Sequence, residues 1–371
     1  MSTSRLPAAH SHAATLARIL LGVYVALVAY ASLYPLEGWL HFGVSPLDFL
    51  WAPWPRKFNA FDIAVNVMGY MPFGFLCVAA LYPRPRGAAA LALAAGSATL
   101  LSTSLEALQN YLPTRFASNV DVLSNLAGAA LGAALGRRFA PWLLHHGLLH
   151  RLRASGFRPG AGVDLGLALL GLWLFLQLNT ETLLFGAGDL RELVSSATGR
   201  LRAPEFFVSV EALTAAANLV VIALLVSALV TPRRAVRPAF LGLVAAALVM
   251  KIAAFALITR IDSFAWLTPG AEEGLAVGLA LGLLAVSLPR TVGLALAAVL
   301  IMAATVLVNL APPNPYLSAT VRLWHQGYFL NFNGLTRLVS AAWPFLALGY
   351  LIYLASSRVP EGANGGRRPQ R

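Results

Sequence analysis

Residues 60–82 read AFDIAVNVMGYMPFGFLCVAALY, a stretch with one acid, no base and apolar side chains on every face of a helix. A run of this length crosses the ~30 Å hydrocarbon core of a bilayer as a helix, because only a helix satisfies its backbone polar groups internally where no water is available. Comparable runs occupy 14–35, 87–110, 119–137, 164–185, 206–230, 237–259, 271–288, 291–310 and 338–356. They predict an all-α, polytopic transmembrane bundle of about ten spans. Hydrophobic residues make up 58% of the chain and charged residues 11%, and the mean hydropathy is +0.71. Those values exclude an ordinary soluble domain.

The basic residues orient the bundle. With the N-terminus inside, the inner segments hold 17 of the 27 Lys and Arg residues, among them Arg84, Arg86, Arg137, Arg138, Arg151 and Arg153. The outer segments hold nine, Lys251 lies within a span, and on the inner side the acids are only Asp164 and Glu361. Basic residues are retained in cytoplasmic loops, so both termini are expected inside and the net charge of +12 is a topology signal. It points to anionic lipid as the partner of the inner loops, with no nucleic acid. Ala29-Tyr30-Ala31 has the form of a signal-peptidase site, but the first span is long enough to stay as an anchor. The single cysteine, Cys77, excludes an intramolecular disulfide. His145, His146 and His150 read as part of a basic cytoplasmic loop, and no cofactor or metal signature is present.

Four spans superimpose on four spans when 32–138 is laid over 184–290 at a constant offset of 152, which places Asn66 on Asn218, Gly128 on Ala280 and Arg138 on Arg290. This suggests a parallel four-helix internal repeat. The expected organisation is a four-helix unit over 1–138, a basic cytoplasmic loop over 139–163 and a second four-helix unit over 164–290. Two further spans over 291–356 and a disordered basic tail over 357–371 follow, the spans joined by an outer loop around Pro312, Pro313, Pro315, Trp324 and Tyr328.

Polar residues at helical spacing mark the first unit. Asp62, Asn66, Gly69 and Phe73 share one face, as do Ser102, Glu106 and Gln109, and as do Asp121, Asn125, Gly128 and Gly132. All three polar stripes lie at the outer ends of their spans, and the turn carrying Pro113, Arg115 and Ser118 joins two of them. Ionisable groups at membrane depth face a bundle interior or a water-filled cavity. Three carboxylates against one guanidinium suit three uses: clamping a polar head group, holding a hard cation through oxygens, or acid–base work. A structural use is equally available, in which Ser118 and Asp121 start a helix, Arg115 neutralises a carboxylate and the asparagines bridge helices. Lys251 either snorkels outward or pairs with Glu211.

Ser32-Leu33-Tyr34-Pro35 and Asn66-Val67-Met68-Gly69-Tyr70-Met71-Pro72-Phe73-Gly74 resemble the opening of VanZ-like membrane proteins. Glu106-x-x-Gln109 followed by Arg115-x-x-Ser118-x-x-Asp121-Val122-x-x-Asn125-x-x-Gly128 is similar to that family's most characteristic segment, and the resemblance runs over roughly residues 15–138. It implies action at the outer face of a bacterial cytoplasmic membrane on lipid-linked envelope material or a lipidated antibiotic, since the family is named for resistance to glycopeptides, notably teicoplanin. The expected ligand-binding residues are Asp62, Asn66, Glu106, Gln109, Arg115, Ser118, Asp121 and Asn125, with Tyr34, Trp39, Trp51 and Trp54 sheltering the ligand's acyl or glycan part. Two other readings remain open from the residues alone. One is a membrane-embedded enzyme on lipid-linked precursors with Glu106 or Asp121 as base; the other is a transporter. No catalytic residue is assigned.

Overall fold

The computed structural model describes residues 8–41, 43, 45–55, 58–83, 85–143, 155–158, 160–191, 203–259, 262–312 and 330–357. Among them are ten α-helices and no strand beyond an isolated Phe157–Val230 bridge. The helices are α1 (Ala8–Leu33), α2 (Ala60–Leu81), α3 (Ala88–Gln109), α4 (Asn119–Pro141), α5 (Ala161–Leu176), α6 (Pro204–Leu229), α7 (Arg233–Ala254), α8 (Pro269–Ala285), α9 (Arg290–Leu310) and α10 (Leu330–Ser356). Each falls on one of the ten predicted runs. The histidine loop, the residues Pro313, Pro315, Trp324 and Tyr328, and the basic tail from 358 lie outside the described residues.

Seven helices, α1, α2, α3, α6, α7, α9 and α10, are long and apolar enough to cross a membrane. The other three differ for visible reasons. α5 was expected to continue to residue 185 but ends at Leu176. There Gln177 turns back, its backbone N–H bonding Leu174 and Phe175 and its side chain the Trp173 carbonyl, and Asn179 and Glu181 follow. α8 has only 17 residues. α4 is long enough, but Asn119, Asp121, Asn125 and its glycines lower its hydropathy.

The small residues of α4 have a packing purpose. A Cβ at Gly128 or Gly132 would overlap the carbonyls of Val67 or Met71, and one at Gly74 of α2 would overlap that of Ala129. The α2 and α4 backbones are therefore in direct contact, the close approach that small residues four apart permit in a bilayer. α8 repeats the device against α6. Cβ atoms at Gly270, Gly274 and Gly278 would come within 2.7–2.8 Å of Val208 O, Ala212 O and Leu219 Cδ1.

α6 is the central post of the second unit, apolar on all sides and buried over most of its length, packed by α5, α7, α8 and α9. α1 joins the two halves. It lies on α2 and α3 on one side and on α5 and α10 on the other, with its Tyr34 ring against Gly334 of α10. Trp343 and Tyr350 tie α10 to α5 through the Leu169 and Gly162 carbonyls at 3.0 and 2.9 Å.

Candidate functional site

The predicted polar residues do converge at one end of α2, α3 and α4, but they divide into two groups. The first group builds the end of the bundle. Arg115, in the turn after α3, donates from Nε and Nη2 to the Tyr34 carbonyl at 3.1 and 2.7 Å, and Gln109 donates to the Ser32 carbonyl at 3.1 Å. These are the unpaired carbonyls at the C-terminus of α1, where a cation is favoured. Ser118 is the N-cap of α4, its hydroxyl accepting from Val120 N at 3.2 Å. Burial draws the Arg115 guanidinium down from its usual range while the nearby Glu106 carboxylate acts in the opposite sense.

The second group forms the mouth. Glu106 is buried, 4% exposed, and its Oε2 accepts from the Ser118 backbone N–H at 2.9 Å. Asp121 is half-buried and accepts from Asn66 Nδ2 at 2.9 Å, which bridges α2 to α4. Asp62 is exposed. Electrostatic coupling runs from Asp62 to Asp121 and from Asp121 to Glu106. Deeper in, Asn125 donates to Ser102 Oγ at 2.9 Å, and its buried Oδ1 has no partner among the described residues. The carboxylates thus step from exposed to buried, from Asp62 on α2 through Asp121 on α4 to Glu106 on α3.

Two tyrosines belong to this network and were not among the expected site residues. Tyr70 of α2 is buried, close enough to Ser102 and Glu106 to interact electrostatically with both. Tyr24 of α1 donates to the Gly69 carbonyl at 2.6 Å. Tyr70 sits four residues after Asn66, so the spacing that selected Asn66 also reaches it; Tyr24 carries no such signal.

The loop after α1 crosses this end. Leu40 N bonds the Tyr111 carbonyl at 2.8 Å, and Asn110 and Asn119 hold the Pro46 and Ala52 carbonyls, each at 2.8 Å. It presents Trp39, Trp51, Trp54 and Phe58, with Phe116 from the next turn, to the outside; Phe116 is 88% exposed and Trp51 78%. Such a collar suits a membrane–water interface. Among the described residues no three of His, Cys, Asp or Glu lie close enough together to hold a metal ion.

The second unit carries a polar group of its own. Lys251 of α7 is 1% exposed and does not snorkel: its ammonium donates to the Asn179 and Thr182 carbonyls at 2.6 and 3.2 Å. Glu211 of α6 is bonded at 2.7 Å by the Thr268 hydroxyl and is coupled to Lys251 at longer range. The early end of α5 explains this, because it delivers free carbonyls to a cation on a distant helix.

No curated protein and no solved structure matches the chain. A match does exist for the part that bears the mouth: residues 18–140 fit the family model described as VanZ/LLP1, a span running from early α1 to the end of α4. The Asp62, Asn66, Glu106 and Asp121 cluster therefore lies in the segment, about the first third of this helical, multi-pass membrane protein, that is similar to the VanZ/LLP1 family.

Proposed function

We propose that the N-terminal unit binds the polar head of an amphiphilic envelope ligand at the outer face of a bacterial cytoplasmic membrane. The observation that carries this reading is the stepped row of carboxylates, Asp62, Asp121 and Glu106, opening beneath an aromatic collar. Arg115 donates to backbone carbonyls at the end of α1 with Glu106 nearby, so three carboxylates share one guanidinium and acceptors are in surplus. A carboxylate offers about four lone-pair sites, and Asp121 and Glu106 have acceptor capacity beyond the bonds from Asn66 and Ser118. The complementary head is rich in donors: sugar hydroxyls, peptide N–H groups or an ammonium. Trp51, Trp54, Phe58 and Phe116 provide apolar surface for an acyl chain or the face of a glycan. By family resemblance, a lipidated glycopeptide such as teicoplanin, or the lipid-linked precursor it targets, meets these requirements. Gln109, Arg115 and Ser118 support the mouth in this reading, while Asp62, Asn66, Asp121 and the deeper Glu106 and Asn125 address the ligand.

The test is teicoplanin and vancomycin susceptibility of a sensitive Gram-positive host expressing the protein or its Asp62→Asn/Asp121→Asn variant at equal membrane abundance. Both side chains reach the surface, so the variant is expected to fold. A decrease in teicoplanin susceptibility that the variant loses, with vancomycin unchanged, supports the reading. Equal susceptibility with and without the protein counts against it and shifts weight to catalysis or transport.

A further inference from the structure

At the end of the N-terminal unit opposite the carboxylate mouth, arginines flank a cavity of about 240 Å³. That is several times the ~30 Å³ share of one water molecule. Val78 and Tyr82 at the end of α2, Arg86 and Gly87 in the turn before α3, and Arg137 and Ala140 near the end of α4 line it. Arg86 is exposed but held in place: Nη2 donates to the Tyr82 hydroxyl at 3.3 Å, and the guanidinium lies 4.9 Å from the ring centroid. That contact uses one of the guanidinium's five N–H donors and leaves four. Arg137 is exposed on α4. Among the described residues neither arginine forms an ion pair with a carboxylate.

Two guanidiniums over an apolar wall match a group that is anionic at one end and greasy at the other. Basic pockets between membrane helices take the head groups of anionic lipids, and Arg binds phosphate oxygens through paired N–H donors. Val78 and Ala140, both buried, give the cavity an apolar inner wall beside the arginines, a feature that free phosphate does not need. The geometry points to a phosphodiester head-group site here, taking an anionic phospholipid whose phosphate is reached by Arg86 and Arg137. The site is separate from the mouth and does not depend on what the mouth binds.

The full chain, delipidated in a neutral detergent, is titrated with dioctanoyl phosphatidylglycerol, dioctanoyl phosphatidylcholine or inorganic phosphate, and bound species are counted by native mass spectrometry. The expected result is a one-to-one phosphatidylglycerol adduct formed about tenfold more tightly than the phosphatidylcholine adduct, with no retained inorganic phosphate. Arg86→Gln/Arg137→Gln should abolish that preference. Arg137→Gln alone should weaken it, and Arg138→Gln, which removes the same single charge one residue away from the cavity lining, should keep it. All three arginines are exposed, and an unchanged thermal midpoint in detergent verifies folding. Equal affinity for the two lipids, or equal loss in Arg138→Gln, overturns the site in favour of general surface charge. Retention of inorganic phosphate with lipid-like affinity overturns the lipid assignment.

Discussion

The helix pairs α2–α4 and α6–α8 close in the same way and carry opposite electrostatics. In each, glycines four residues apart bring one backbone onto another: Gly128 onto Val67 and Gly132 onto Met71 in the first pair, Gly274 onto Ala212 and Gly278 onto Ala216 in the second. The residue just before the contacted one is Asn66 in α2 and Glu211 in α6. Asn66 bonds Asp121 and leaves an acidic mouth, whereas Glu211 lies near the buried ammonium of Lys251. Packing of this kind fixes where polar groups stand without fixing their charge, so similar scaffolds can hold an open acidic site and a self-neutralised one. Gly274 stands against α6 as Gly128 stands against α2.

The largest expected effect tests the shared packing. Gly132→Leu and Gly278→Leu each force a side chain into a neighbouring helix, and both should yield no folded protein on detergent extraction and size-exclusion chromatography. Gly69→Leu and Gly242→Leu, where an added Cβ meets nothing within 4 Å, should elute as the parent does. A well-folded Gly278→Leu beside a collapsed Gly132→Leu would break the equivalence of the two pairs.

The next effect separates their electrostatics. Lys251→Met removes the cation from the Asn179 and Thr182 carbonyls and strips Glu211 of its compensating charge, so it should cost about 3 kcal/mol in reversible unfolding. Adding Glu211→Gln should recover part of that loss. Asp121→Asn in the first unit relieves repulsion with Asp62 while an amide oxygen can still accept from Asn66, and it should cost less than about 1 kcal/mol. Equal losses from Lys251→Met and Asp121→Asn would mean that the acidic mouth is as tightly built into the fold as the buried lysine.

Periodicity and apolar length were enough to place every helix, because a bilayer leaves so few ways to satisfy a backbone. They also brought Asp62, Asn66, Glu106 and Asp121 to one end, since residues three and four apart must share a face. The roles of Arg115 and Gln109 were not legible. Both reach carbonyls more than 75 residues away on α1, and a carbonyl has no sequence signature. For Lys251 the charge partner Glu211 was legible, but its hydrogen-bond partners were not: they are the backbone of residues 179 and 182, freed only because α5 stops at Leu176. The α8 glycines at 270, 274, 278 and 282 were visible at four-residue spacing, but they lay in a half of the chain without polar stripes to draw attention to them.

The smallest effect sharpens the contrast between acids left open and acids paired. Asp189, in the loop after α5, accepts from Arg191 Nε at 2.9 Å. Burial alone would raise its carboxyl pKa, but the hydrogen bonds and charge of Arg191, with Arg337 farther off, outweigh burial and hold it below the usual range. A carboxyl whose folded-state value is depressed contributes stability above its unfolded pKa of about 3.9 and loses that contribution as pH falls through the folded value. Thermal unfolding should therefore show the parent slightly more stable than Asp189→Asn near neutrality, with the gap closing below about pH 4. The gap should be small and shrink with salt, because the pair is partly open to solvent. A gap that stays open in acid would show that the Asp189 carboxylate gains nothing from Arg191.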